Sequence, residues 1–359
     1  MEDPTASRPS RARARPRPEA RREPASGEED GVLLLQRGHS YAAVLHTPGE
    51  PPAYRPHPDP VPAVGQTLVR VTAAPVVPLD LLCASGTSYF GRPAVPYVPG
   101  VQGVGVVADS AAHPTGARVW FATAAGTAPG DGSQAERCAV ADGDVVPLDV
   151  ELPDPAVAAI GLSGVAAWMA LTWRAQLRPG ERVLVLGAGG AVGQAAIGAA
   201  RSLDAGRVVA VCRPGPSAER AARAGADEVV PLTEDVDELA RRLARACGGD
   251  VDVVVDPVFG AAATAASRVL APGGRLVNLG GASGDTARFS SAVLRSRSAS
   301  VLGYTNNALT GEQRAAALAC AAAGRLAVDH ELLPLSRAAE GWARTAAGAG
   351  RRVVLSPGG

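Results

Sequence analysis

The sequence predicts an α/β protein, with a doubly wound parallel sheet and a second, β-rich domain built from both chain ends. Three observations predict it. Between Gly180 and Arg213 an apolar strand, a glycine turn, a helix and a second strand follow in order. From there to about residue 304, strands and helical segments alternate, the pattern of a parallel sheet covered on both faces. Before it, from Tyr41 to about Val150, short strands are punctuated by Pro and Gly, the pattern of an all-β, partly barrel-like domain.

Taken in order, residues 1–38 carry Arg8, Arg11, Arg13, Arg15 and Arg17 among Pro, Ala and Ser, then an acidic cluster. With little to bury, they read as a disordered tail. Candidate strands follow at Tyr41–Leu45, Thr67–Val71, Val104–Ala108, Ala117–Phe121 and Glu136–Val140. Asp154-Pro155 reads as an N-cap followed by proline at the first helical position, opening a long apolar helix over 156–177. The strands of the parallel sheet fall at 183–187, 207–212, 228–231, 251–256, 275–279 and 299–304. Helices fall near 191–203, 217–224, 235–247 and 260–270. In the segment 235–247, Val236, Leu239, Leu243 and Cys247 share one stripe at helical spacing, with arginines on the other faces. Two Ala-rich helices, near 311–323 and 336–348, precede a strand at 352–355 that pairs back with the N-terminal domain.

The glycine turn carries the chemistry. Gly187, Gly189, Gly190 and Gly193 end the first strand, and Ala188, Gly190 and Gly193 give the best register on G-x-G-x-x-G. Such a turn brings backbone close to a pyrophosphate and offers it the N–H groups of a helix start, here Ala191, Val192 and Gly193. At the end of the second strand, where an NAD site usually places a carboxylate for the ribose hydroxyls, the chain has Cys212 and Arg213. A guanidinium pairs with a 2′-phosphate that a carboxylate would repel. The reading is therefore NADP(H). Asp256, Val258, Leu279 and Gly280, at the ends of the next two strands, complete the candidate cofactor contacts.

Composition excludes some classes. The 35 basic residues are all arginine and match 35 acidic ones, so no nucleic-acid or acidic-substrate signature covers the whole chain. The five cysteines, at 83, 138, 212, 247 and 320, are scattered without metal-ligand spacing and read as reduced cytoplasmic thiols. No apolar run is expected to approach membrane-spanning length. The early apolar patch at 32–35 is too short for a signal-peptide core.

From Tyr41 to Pro357 the chain resembles the medium-chain dehydrogenase/reductase superfamily, in its zinc-free, quinone-oxidoreductase-like branch. The resemblance rests on an ordered set of short motifs. They include Tyr41-Ala-Ala-Val-Leu, Pro78-Leu-Asp-Leu-Leu, Pro99-Gly-Val-Gln-Gly-Val-Gly-Val-Val, Gly132-Ser-Gln-Ala-Glu, Leu177-Arg-Pro-Gly-Glu-Arg-Val-Leu-Val, Ala224-Gly-Ala-Asp and Gly273-Gly-Arg-Leu-Val-Asn-Leu-Gly. It implies a GroES-like domain over 39–150 and 308–359, and a Rossmann NADP(H)-binding domain over 151–307. It also implies a homodimer joined through Ser300-Val-Leu-Gly-Tyr, with neither nucleic acid nor membrane as a partner. Where zinc-using relatives carry Gly-His-Glu, this chain has Gly100-Val-Gln, and Val77, Pro78 and Leu79 stand where their first cysteine ligand falls. Zinc needs three or four Cys, His or carboxylate ligands, and the matching positions do not supply them. The activity implied is hydride transfer from NADPH to a quinone or α,β-unsaturated carbonyl, a small apolar acceptor, without a metal. Tyr89, one residue beyond the family's Gly-x-Tyr, is the candidate proton donor. Asp80 matches the family's Asp in Asn-x-x-Asp, with Val77 replacing the Asn, and Ala166 stands where relatives often carry a Thr. A zinc-type alcohol dehydrogenase and a non-catalytic NADPH-binding sensor or structural protein remain as alternatives.

Overall fold

The computed structural model describes residues 38–358, except 325 and 349. The tail expected over 1–38 lies outside the described residues but for Gly38. An antiparallel pair, β1 (His39–Val44) and β2 (Ala53–Pro58), comes first. The β2 segment, Ala-Tyr-Arg-Pro-His-Pro, has no apolar alternation and escaped the sequence reading. Its prolines fit because a strand with one partner needs fewer backbone donors.

A ten-residue strand, β3 (Gln66–Pro75), organises the second sheet. After helix α1 (Pro78–Ser85) come β4 (Gln102–Asp109), β5 (Arg118–Ala122), β6 (Arg137–Ala141) and β7 (Val145–Pro147). β3 pairs antiparallel with both β4 and β6, and β4 continues to β5 and β7. Helix α2 (Asp154–Met169) then leads into the parallel sheet. Its N-cap is Pro153, one residue before the expected Asp154. The Asp154 carboxylate is instead held by Thr72 Oγ1 at 2.5 Å and Arg118 Nε at 2.6 Å.

The parallel sheet alternates β8 (Arg182–Leu186), α3 (Ala191–Ser202), β9 (Arg207–Cys212), α4 (Pro216–Arg223), β10 (Glu228–Pro231), α5 (Val236–Ala246), β11 (Val251–Asp256), α6 (Gly260–Ser267), β12 (Leu270–Asn278), α7 (Ser291–Arg297) and β13 (Ser300–Gly303). Its order is β10-β9-β8-β11-β12-β13, and each pair is parallel. This is the doubly wound arrangement expected, with a switch point between β8 and β11. The central strand shows why. Val183 and Val185 pack with α2 and α3 on one face, and Leu184 and Leu186 pack with α5 and α6 on the other. A strand apolar on both faces is stable only with helices on both, and each fully buried Leu contributes about 1.5–3 kcal/mol.

The chain then returns through α8 (Gly311–Ala323), β14 (His330–Pro334), α9 (Ala338–Ala346) and β15 (Arg352–Ser356). β15 pairs antiparallel with β3, and β14 adds outside it, so the last strand does complete the N-terminal sheet. The packing does not divide at residue 308, however. Leu309, Ala317, Leu318 and Ala321 share one buried cluster with α2, α3 and the parallel sheet.

α2 needs one correction. With the π-helical turn Ala170–Arg174 that extends it, the segment Asp154–Arg174 has 21 residues and is long and apolar enough to cross a membrane. In this fold it is a core helix. It packs on α3 and α8 as well as on β3 and β4, and burial on every side accounts for its composition.

Candidate active site

The turn between β8 and α3 shows what each glycine does. Gly187 has φ +59, and a Cβ there would lie 2.5 Å from Val258 Cγ1. It therefore takes the tight-turn role that the sequence register gave to Ala188, whose N–H is bonded to Val211 O. At Gly193 a Cβ would lie 2.5 Å from both Ala188 Cα and Gly187 O, so only glycine lets α3 pack on the turn. Gly190, the exposed N-cap of α3, is different. A Cβ there would meet only Gly187 O, at 3.4 Å, and no side chain caps the helix. The N–H groups of Ala191, Val192 and Gly193 thus begin the helix at an open backbone surface. That is the cradle a pyrophosphate requires.

Arg213 follows the last residue of β9, exposed, with no hydrogen bond or ion pair to another described residue. The sequence reading missed a second guanidinium. Arg220, on α4, is buried. Its Nε donates to Gly189 O at 3.0 Å and its Nη2 to Ser217 Oγ at 3.1 Å. Both acceptors are neutral. Burial pushes the Cys212 thiol up, and the charges of Arg220 and Arg213 both pull it back, which places the two arginines around the end of β9. The signal was present in the sequence: Arg220 lies about one turn along the helix that opens beyond Arg213.

The other cofactor candidates divide. Val258, Leu279 and Gly280 are half-buried at the carboxyl ends of β11 and β12. Asp256 is fully buried. Its Oδ1 accepts from the N–H groups of Val258 at 3.0 Å and Phe259 at 2.7 Å, and burial raises its pKa. It holds the turn that aims Val258 at Gly187 and reaches the site only through that turn.

The two catalytic candidates are not brought together. Tyr89 is 81% exposed, and its ring lies 4.1 Å from that of Phe90. No hydrogen bond ties its hydroxyl to another described residue. Asp80 is buried at the first turn of α1. Its Oδ2 accepts from Val77 N at 2.8 Å and its Oδ1 from Val101 N at 3.0 Å. Burial pushes its pKa up to about 6, against the lowering effect of those two N–H groups and of Arg352. Asp80 caps α1 and ties it to the loop before β4.

Around Asp80 the fold assembles polar groups that the sequence scatters. Gln134 Nε2 lies 3.5 Å from Asp80 Oδ2. Gln102 Oε1 accepts from Trp120 Nε1 at 3.1 Å and from Leu162 N at 2.8 Å. That oxygen occupies the space of a side chain at Gly161, where a Cβ would lie 2.0 Å from it. There α2 breaks, with φ 27 and ψ −128. Arg352, on β15, donates to Val76 O at 3.3 Å and to Ser163 Oγ at 2.9 Å. Its guanidinium is buried, and burial lowers its pKa to about 10, so it stays charged at neutral pH. Among the described residues no three His, Cys, Asp or Glu come together as a metal site. Gln102, Val101 and Val77, at the positions matched to zinc ligands, offer at most one amide oxygen, and the two hydrogen bonds already occupy it. This donor set does not fit zinc.

Comparison with known proteins decides the family. Residues 191–323 match the model described as "Zinc-binding dehydrogenase". A guanaco (Lama guanicoe) quinone oxidoreductase is 31% identical over 226 residues, 62% of this chain and 66% of that protein. A probable oxidoreductase from Mycobacterium abscessus is 30% identical, with a TM-score of 0.78 over 89% of this chain and 100% of its own. The quinone oxidoreductase from Thermus thermophilus, solved alone and with NADPH, is 29% identical, with a TM-score of 0.71 over the same shares. The chain belongs to the medium-chain dehydrogenase/reductase superfamily. Within it the likeness is to the quinone-oxidoreductase-like branch. The alignments span between 43% and 66% of the curated quinone oxidoreductases matched.

Proposed function

We propose that this medium-chain dehydrogenase/reductase binds NADP(H) and reduces a quinone or an α,β-unsaturated carbonyl without a metal ion. One observation carries the reading. The open glycine turn at Gly190 belongs to the βαβ unit whose second strand, β9, ends between two guanidiniums, and among the described residues neither has a carboxylate partner. An NADPH-bound structure of the Thermus relative supports it. In this chain Gly187–Gly193 would hold the pyrophosphate, and Arg213 and Arg220 the 2′-phosphate. Val258, Leu279 and Gly280 would border the path toward the nicotinamide.

When bound, NADPH supplies a hydride. The protein supplies orientation and a site that excludes water. The donor set around Gln102 does not fit a zinc ion that would polarise an alcohol, which favours an acceptor able to delocalise charge itself. The free cysteines suit a cytoplasmic enzyme. β13 ends the parallel sheet with Val301 37% exposed. An open strand edge of this kind is a liability unless covered, and a second copy paired there would make a homodimer. Sedimentation at micromolar concentration checks this, and a monomer would refute it. The main test is NADPH consumption with 1,4-benzoquinone and with 2-cyclohexenone, run beside a bound-zinc assay. Turnover by zinc-free protein is expected; turnover that needs added zinc refutes the reading.

A further inference from the structure

The break in α2 leaves one buried hydroxyl without the usual helical acceptor. Hydroxyls in the interior of other helices donate to the carbonyl three or four residues back, as Ser267 does to Thr264 O at 2.7 Å. Thr172 donates to Trp168 O at 2.8 Å, Thr264 to Gly260 O at 3.3 Å and Thr345 to Gly341 O at 3.0 Å. That is the ordinary use of a helical hydroxyl. Ser163 makes no such bond, because the backbone departs from helix at Gly161, between it and Ala159. Its one side-chain hydrogen bond is the one it accepts from Arg352 Nη2, at 2.9 Å. A hydroxyl has one hydrogen to give, and among the described residues nothing takes it.

The surroundings suit a developing negative charge. Arg352 is buried, its Nε has no partner among the described residues, and no carboxylate lies within ion-pair distance of it there. Its positive charge therefore acts on the Ser163 hydroxyl in a medium that screens it little. The position is also right for a ligand. Asn306, just beyond the carboxyl end of β13, donates to Leu162 O at 3.3 Å, so the break lies on the carboxyl side of the parallel sheet, the side on which doubly wound sheets bind ligands. Ser163 and Ala166 share one face of α2 and each keep 8% exposure, while Val165 and Ala167 between and beside them keep none.

We propose that Ser163 is a catalytic residue that donates its hydroxyl hydrogen bond to the carbonyl oxygen of an α,β-unsaturated carbonyl acceptor, with Arg352 as the positioning residue that fixes the hydroxyl. This rests on the reductase reading above. Hydride arrives with its electron pair at the β-carbon. The C=C π pair moves to the bond between α-carbon and carbonyl carbon, and the carbonyl π pair settles on oxygen as an enolate. The Ser163 O–H stabilises that oxygen. The α-carbon then takes a proton from water, leaving a saturated carbonyl, NADP⁺ and hydroxide. A donor aimed at the charge that develops is worth about 10²–10³ in rate.

The test compares Ser163→Ala and Ser163→Thr with the wild type, using 2-cyclohexenone and 1,4-benzoquinone as acceptors. Ser163→Ala is expected to lower kcat with cyclohexenone about 100-fold, with KM and NADPH affinity within about twofold, the pattern of an interaction made in the transition state. Ser163→Thr is expected to recover most of the rate. Infrared spectra of cyclohexenone bound with NADP⁺ should show a lowered carbonyl stretch in the wild type and Ser163→Thr, and not in Ser163→Ala. Unchanged kcat in Ser163→Ala overturns the proposal. So does a parallel loss of NADPH affinity or of melting temperature, which marks a structural hydroxyl. A wild type that reduces benzoquinone but not cyclohexenone overturns this role and leaves the reductase reading standing. A wild type that binds NADPH and reduces neither overturns both.

Discussion

The two ends of the site are built on opposite principles. At the proposed nucleotide end most of the groups are open: Gly190 and Arg213 are exposed and α3 has no side-chain cap, and only Arg220 is buried. They come from one stretch of about thirty residues. At the proposed reacting end the groups are shut in. Asp80, Gln102, Gln134, Ser163 and Arg352 are all buried and come from five separate segments. Each end is therefore vulnerable in its own way. Backbone packed as closely as at Gly193 tolerates no added atoms, whereas buried charge tolerates no lost partner.

The largest effect is expected at Gly193. Its missing Cβ is the space in which α3 meets the turn, so Gly193→Ala should cost about 3 kcal/mol or more of stability, read by thermal or denaturant unfolding. A small change would mean that the turn can move and that its geometry is not fixed by packing.

At the reacting end, Asp80 should leave a pH signature of similar size. Its pKa rises from 3.8 unfolded to about 6 folded. The folded state therefore holds the proton more tightly. The stability this brings is complete below about 3.8 and is lost as pH rises through about 6. At about 1.4 kcal/mol per unit the loss amounts to about 3 kcal/mol. The stability of wild type relative to Asp80→Asn should fall by that order between pH 4 and 7. A pH-independent difference would show that Asp80 is ionised throughout.

Cofactor choice comes next. Arg213→Ala should remove about 1.5–3 kcal/mol of NADPH binding, roughly tenfold to hundredfold, and leave NADH nearly unchanged in titrations. If the loss is small, Arg220 carries the phosphate alone. The smallest expected effect is Gly190→Ala. It should leave unfolding within about 0.5 kcal/mol and weaken both cofactors alike, about tenfold (~1.4 kcal/mol), if the turn holds the pyrophosphate as proposed. Together with Gly193→Ala it separates the glycine that serves the fold from the one that serves the ligand.

The same contrast explains what could be read from the sequence. The parallel sheet was legible almost strand for strand, because strands buried on both faces, such as Val183–Leu186, are continuous apolar runs bounded by glycine. The glycine turn and Arg213 were legible because their spacing along the chain is their geometry. β2 and β14 were not, since edge strands need neither alternation nor freedom from proline. The reacting end was hidden for another reason. Arg352 looks like a surface charge at the start of an apolar strand, and only its partners 276 and 189 residues away make it a buried one. Ser163 left one trace: it is the only side chain with a hydroxyl or charge between Asp154 and Trp168.

That long reach of Arg352 also sets a clock on synthesis. Val76 leaves the ribosome 276 residues ahead of it, roughly 14–55 s at ordinary elongation rates. The parallel sheet needs no strand from beyond Gly303, so the cofactor half can form while β3 still waits for β15. Until then part of one edge of β3 is open, the kind of surface on which nascent chains stick to one another. The newborn protein would hold its nucleotide before it could act on anything, and during that interval it would depend most on chaperones.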